Sequence, residues 1–169
     1  ALYVLVVPRI GCRPVELVGA KVVGREMHIP NAKWRPGMPV YRVLSLKRFS
    51  KTFIEAARWL CTLAHAGASG DNGRTDEKKF ERWRNRVAEC LGRASEKACG
   101  QRLSLYFARH ISIATWKRSG FSAMEIAALA GHLRPDSASR HYAPRRAGWA
   151  QEEVLVEAVQ SSPDQEPFQ

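Results

Sequence analysis

Five short stretches hold side chains suited to work on a charged substrate: G-C-R-P-V-E-L at 11–17, P-N-A-K at 30–33, Y-F-A-R-H at 106–110, A-G-H at 130–132 and S-R-H-Y-A at 139–143. Guanidinium groups stay charged at any working pH and present paired donors to phosphate or carboxylate oxygens. Histidine, lysine and tyrosine can move protons, and a tyrosine can also serve as a nucleophile. Taken singly these residues are ordinary. Arg13 beside Pro14 reads as a surface arginine, Lys33 as a solvated loop lysine, and Tyr142 as a half-buried tyrosine at a helix end. Their order and context set them apart. The cysteines add nothing to such a site: Cys12, Cys61, Cys90 and Cys99 form no C-x-x-C pair and have no histidine ladder beside them, which argues against structural zinc. They read as reduced thiols of an intracellular protein, three of them within apolar stretches.

The elements that must position these side chains follow from periodicity and punctuation. Residues 1–10 read as the end of a helix that continues upstream, interrupted by Pro8, so the chain is expected to be an excised domain. Pro14 disfavours the helical region for Arg13 and makes 11–14 a turn, and 15–20 allow one helical turn. Two β-type runs at 21–23 and 27–29 flank Gly24-Arg25 as a hairpin. Residues 30–39 are a proline-rich loop, and 40–46 alternate as a third strand. Apolar positions at helical spacing predict a helix over 50–66, broken by the turn-rich stretch 67–73. A basic helix over 75–91 carries Phe80, Trp83, Val87 and Leu91 as a core stripe, and 95–101 are a polar connector. Helices are expected at 104–117 and at 122–130, the second opened by a Ser122/Glu125 capping box. A short helix over 136–142, an amphipathic helix over 152–159 and a disordered tail complete the chain. There is no internal repeat.

The chain has 169 residues, of which 45% are apolar and 9% aromatic, enough for one cored domain with a tail. Lys and Arg number 27 against 16 Asp and Glu, a net charge of +11 with a pI near 10.0. That balance favours a polyanionic partner such as nucleic acid. No apolar run approaches the length of a membrane span, and residues 1–7 lack the basic region and cleavage site of a signal peptide.

In order and context the five blocks resemble the pattern of the tyrosine recombinases, the phage integrase family, over nearly the whole chain to about residue 146. The family has an arginine in a T-G-x-R-x-x-E-L turn, matched by Arg13 and Glu16 except that Ile10 replaces the threonine. Its lysine lies on the loop after the second strand of a small sheet, as Lys33 does. Arg109-His110 occupy the end of its H-x-x-R-H block, Gly131-His132 its G-H pair, and Tyr142 the place of its nucleophile. Tyr106 stands where the first histidine of H-x-x-R is usual, a departure that bears on rate and proton transfer.

The resemblance implies an α+β, mainly α-helical catalytic fold with a small three-stranded antiparallel sheet near the N-terminus. It implies a catalytic domain at 1–148, without the N-terminal core-binding domain, followed by a C-terminal helix and flexible tail at 149–169. It also implies DNA cutting and rejoining through a covalent 3′-phosphotyrosine, without metal, cofactor or ATP. In that scheme Arg13 and Arg109 grip the non-bridging phosphate oxygens and Tyr142 attacks. His132 and Tyr106 hydrogen-bond the phosphate, and Lys33 protonates the departing 5′ oxygen. Glu16 orients the turn that carries Arg13. The implied partner is double-stranded DNA, with a homo-oligomer, a tetramer, assembling on it through the C-terminal segment. The implied setting is the cytoplasm of a bacterium, or a phage-encoded protein. Three other readings compete. One is a helix-turn-helix DNA-binding protein over 122–142 with Gly131 at the turn, which leaves Arg13, Lys33 and Arg109 without a role. The second is a degenerate recombinase that binds without cutting, and the third a type IB topoisomerase.

Overall fold

A computed structural model describes residues 1–36, 39–70, 74–132, 134–137, 142–149 and 154–159. Helix α1 (Leu2–Ile10) leads through a turn to the four-residue α2 (Glu16–Gly19). Strands β1 (Lys21–Val23), β2 (Glu26–Pro30) and β3 (Tyr41–Ser45) follow. Four helices come next, α3 (Lys51–Ala68), α4 (Glu77–Cys99), α5 (Leu105–Arg118) and α6 (Ala123–Ala130). A single 3₁₀ turn (Arg145–Ala147) and strand β4 (Glu157–Val159) end the described chain.

Helix α5 is the centre of the molecule. Its side chains are buried on nearly every face, from Leu105 through Ala108, Arg109, Ile111, Ser112 and Ile113 to Trp116. A helix buried all round must be covered by several neighbours. The Tyr3 hydroxyl donates to the Leu105 carbonyl at 2.9 Å and the Ser112 hydroxyl to the Val7 carbonyl at 2.9 Å, joining α1 to α5. Helix α1 ends at Gly11, whose φ of 66° is left-handed and whose N–H reaches the Val7 carbonyl. A Cβ at Gly11 would lie 2.3 Å from the Trp116 ring, so only glycine lets the turn before Arg13 rest on α5.

Side-chain caps set the helix starts. Ser50 accepts from the Phe53 amide, Asp76 from the Lys79 amide, and Ser122 with Glu125 forms the expected reciprocal capping box. The α3 stripe of Phe53, Ile54, Ala57, Leu60, Cys61 and Ala64 is buried as its spacing predicts. Of two expectations about α4, one holds and one is corrected. Its stripe faces the core as expected: Trp83, Val87 and Leu91 are partly buried and pack against it, and Phe80 stacks on Trp83. The helix runs eight residues past Leu91 to Cys99, taking in part of the presumed connector, because Ala, Arg, Glu and Lys favour a helix and Gly92 and Ser95 are buried on its inner side. Gly100 closes it. Cys90 and Cys99 are exposed on this helix, whereas Cys12 and Cys61 are buried.

The sheet is also corrected, from three strands to four. β1, β2, β3 and β4 pair antiparallel in that order, with His28 opposite Val43 and Val43 opposite Val159. The predicted C-terminal helix over 152–159 is not present in its described part. Residues 157–159 instead pair with the otherwise open edge of β3. Pairing satisfies backbone donors and acceptors that an edge strand leaves bare, and it brings Val156 into the core at 1% exposure. The predicted helix over 136–142 and the tail beyond 159 fall mainly outside the described residues. Among those described, no helix is long and apolar enough to cross a membrane.

Candidate active site

The site is assembled around one buried carboxylate. Glu16 opens α2, three residues after Arg13, and its Oε2 accepts from the Arg13 amide at 2.7 Å while Oε1 accepts from the Arg13 guanidinium at 2.5 Å. Arg42 on β3 donates to the same carboxylate at 2.7 Å, and the Arg109 guanidinium lies 3.8 Å away. Burial alone would push the Glu16 carboxyl up. Arg42 first, then Arg109 and Arg13, more than reverse this and bring it down to about 2. Three guanidiniums around one carboxylate leave a surplus of positive charge under the cleft above.

Arg109 projects from α5 and is fully buried. Its Nη1 donates to the Gly11 carbonyl. Its Nη2 donates to the Ala130 carbonyl at 2.7 Å and approaches His132 Nε2 at 3.0 Å, and its Nε donates to the Tyr142 hydroxyl at 3.0 Å. This one side chain ties the turn before Arg13, the end of α6 and Tyr142 together. His132 Nε2 also lies 3.3 Å from the Tyr142 hydroxyl. With Arg109 donating to it, Nε2 is the acceptor nitrogen and the ring proton sits on Nδ1, which is buried and has no hydrogen-bond partner among the described residues. Burial, then the charges of Arg109, Arg13 and Arg42, lowers the His132 pKa to about 3, so the ring is neutral near pH 7.

Gly131 aims that histidine. It caps α6 with a left-handed φ of 63°, and a Cβ there would come within 2.4 Å of Asn31 Oδ1 and 2.6 Å of Arg42 Nη1. Arg42 fixes this corner from below, donating to the Leu129 carbonyl and to Asn31 Oδ1, each at 3.0 Å. Asn31 in turn begins the loop that carries Lys33, and its Nδ2 donates to the Pro39 carbonyl at 2.9 Å.

Above the cluster lies an open cleft of about 490 Å³ lined by Arg13, Lys33, Arg35, Tyr106, Gly131, His132, Arg134, Ser137 and Tyr142. Five of the six residues singled out in the sequence, Arg13, Lys33, Tyr106, His132 and Tyr142, therefore line one concavity, although they come from stretches up to 129 positions apart. The sixth, Arg109, lies behind it and meets it through Tyr142 and His132. Glu16 is the buried partner of the Arg13 turn, as expected. Arg42, Asn31, Arg35 and Arg134 went unread in the sequence. The available signal for Arg42 was a charged residue inside the apolar run of a strand, and Asn31 stood beside the lysine loop. Among the described residues, no His, Cys, Asp or Glu side chains gather in a group able to hold a metal ion.

Comparison of the sequence with protein-family models and with curated proteins gives no match. The fold is similar to a solved structure, the crystal structure of XerA recombinase, with a TM-score of 0.53 at 14% sequence identity. The match covers 83% of this chain and 53% of that one, so the chain spans about half the length of the solved protein. At this identity the likeness is one of fold: a mainly helical, recombinase-like domain with a small antiparallel sheet.

Proposed function

We propose that this chain is the catalytic domain of a site-specific tyrosine recombinase, which cuts and rejoins DNA through a covalent 3′-phosphotyrosine on Tyr142. The observation that carries the reading is the contact of the Tyr142 hydroxyl with both Arg109 and His132 at the floor of a basic cleft that also holds Arg13, Lys33 and Tyr106. A phenol has an ordinary pKa of roughly 10 and needs help to become a nucleophile at neutral pH. Arg109 supplies positive charge at the phenolic oxygen, which favours loss of its proton, and the neutral His132 lies 3.3 Å from that oxygen.

In this scheme a backbone phosphate enters the cleft against Arg13 and takes over the Arg109 Nε–H that Tyr142 holds in the free protein. The Tyr142 oxygen attacks phosphorus, its proton leaves to solvent in the open cleft, and the phosphorus–5′-oxygen bond breaks. Lys33 gives a proton to the departing oxygen, and Tyr106 donates a hydrogen bond to a phosphate oxygen. The arginines offset the charge that builds on the phosphate. The tyrosyl ester retains the energy of the broken linkage, so a second 5′ hydroxyl can reverse the step and exchange strands. The partner is double-stranded DNA, and assembly into a homotetramer on DNA belongs to the same proposal, as does action in a bacterial cytoplasm.

The test is covalent trapping on a nicked suicide duplex that carries the attachment sequence, run on a denaturing gel. An adduct that survives detergent and vanishes in Tyr142→Phe is the expected result, and an adduct retained in that variant rules Tyr142 out as the nucleophile. Two observations favour a second reading, DNA binding without cleavage. Every donor nitrogen of Arg109 already has a protein partner, and Tyr106 stands in the place of a histidine. DNA binding with no adduct on the suicide duplex would favour that second reading.

A further inference from the structure

Resting on the reading of Tyr142 as the nucleophile, we propose that His110 and Lys117 are positioning residues that clamp the Tyr142 backbone onto α5 and so set the reach of its hydroxyl. His110 Nδ1 accepts from the Ala143 amide at 3.3 Å. Lys117 Nζ donates to the Tyr142 carbonyl at 3.3 Å and to the Ala143 carbonyl at 3.0 Å. The two side chains are seven positions apart, two helical turns, so they lie on one face of α5. The peptide after the nucleophile is thus held from both sides, its N–H by one side chain and the flanking carbonyls by the other.

The last turn of α5 continues the hold. The Arg118 guanidinium donates to the Gly148 carbonyl at 3.4 Å, and the Trp149 amide donates to the Thr115 hydroxyl at 3.0 Å. A Cβ at Gly148 would lie 2.5 Å from the Ala114 carbonyl, so the segment runs hard against the helix backbone. Residues 142–149 therefore lie along α5 as a strap. The helix that holds it also carries Arg109, which meets the Tyr142 hydroxyl. One rigid element thereby fixes both ends of the nucleophile, its main chain and its reactive oxygen. Burial, then the charges of Arg109 and Lys117, lowers the His110 pKa, which keeps its ring neutral and able to accept. The ring also lies beside that of Tyr142, with centroids 5.0 Å apart.

The clamp makes demands that bulk packing does not. At position 110 an acceptor is needed where Nδ1 stands, so His110→Asn should keep the hold and His110→Ala lose it. At position 117 a long cation is needed, so Lys117→Arg should keep it and the apolar Lys117→Met, of similar length, lose it. Amide hydrogen exchange of the 142–149 segment reads the hold directly, whether or not the chain cleaves DNA. In His110→Ala and Lys117→Met, exchange of the Ala143 amide should rise roughly tenfold or more, with recovery in the two conservative variants. Single-turnover adduct formation should fall roughly 10- to 100-fold in the same two variants, with DNA affinity unchanged, because misplacing a reacting group by about an ångström has that scale of effect.

Exchange that does not change in His110→Ala and Lys117→Met would overturn the clamp. So would faster exchange with unchanged single-turnover rates, since the contacts would then not position the nucleophile. Failure of the conservative variants to recover, in protein of normal thermal stability, would overturn the donor and acceptor roles. An adduct retained in Tyr142→Phe would remove the nucleophile reading, while the exchange pattern would still decide whether the strap is held.

Discussion

Glu16 shows how far the site depends on single buried groups. Its carboxylate holds Arg13 and Arg42 and faces Arg109, and removing one partner of such a cluster leaves buried charge uncompensated. Glu16→Gln is expected to lower unfolding stability by about 3 kcal/mol in chemical denaturation. The same carboxylate makes stability acid-sensitive. Its pKa falls from 4.5 to about 2 on folding, so its contribution is complete above pH 4.5 and drains away as the pH drops toward 2. His132 acts in the same direction and earlier. Folding lowers its pKa from 6.5 to about 3, so the fold loses stability as the pH falls below 6.5 and the unfolded chain takes up the proton. Nuclear magnetic resonance of the His132 ring should show no titration between pH 8 and pH 5. A titration midpoint near 6.5 would refute the buried, cation-flanked setting. Tyr106, half exposed at the cleft, is expected to matter to rate rather than stability. Tyr106→Phe should slow adduct formation roughly tenfold with an unchanged melting temperature.

At the scale of elements, two short features position the chemistry. The α6 cap at Gly131 is left-handed and pressed against Asn31 and Arg42, so Gly131→Ala meets both backbone strain and a steric clash. Together these are expected to cost about 2–4 kcal/mol and to move His132, which a thermal melt combined with the adduct assay would detect. The second feature is β4. Its pairing with β3 covers a sheet edge and seats Val156 in the core. Truncation after Gly148 should lower the melting temperature and raise association at high protein concentration, because a bare edge strand recruits other chains. Sedimentation of the truncated chain measures this, and an unchanged monomer with an unchanged melt would show that β4 contributes little. The sequence pattern of 152–159 suits an amphipathic helix as well as a strand. What decided between them was the open edge of β3, which lies more than a hundred positions away in the chain.

For the whole molecule the governing quantity is the net charge of +11. With Arg13, Lys33, Arg35 and Arg134 around one cleft, phosphate contacts should dominate affinity for DNA. The chain alone is expected to bind duplex weakly, with little sequence preference. Its affinity should fall steeply between roughly 50 and 200 mM salt, as counterion release requires. Fluorescence anisotropy across a salt series checks this, and tight, sequence-specific binding at physiological salt would contradict it.

The sequence by itself determined the mainly helical class, the three strands of the hairpin region, the capped start of α6 and the side-chain types at five of the positions around the cleft. Those features are local: caps, turns and periodicity act within a few positions. Only the tertiary structure decided how they meet. Arg109 reads as a phosphate ligand in the sequence, yet the fold buries it against Gly11, Ala130, His132 and Tyr142. Arg42 reads as an ordinary charge in a strand, yet it joins the Glu16 carboxylate, the loop of Lys33 and the turn of His132. Burial and pairing across long stretches of chain are set by how the elements pack. No window of neighbouring residues contains that information.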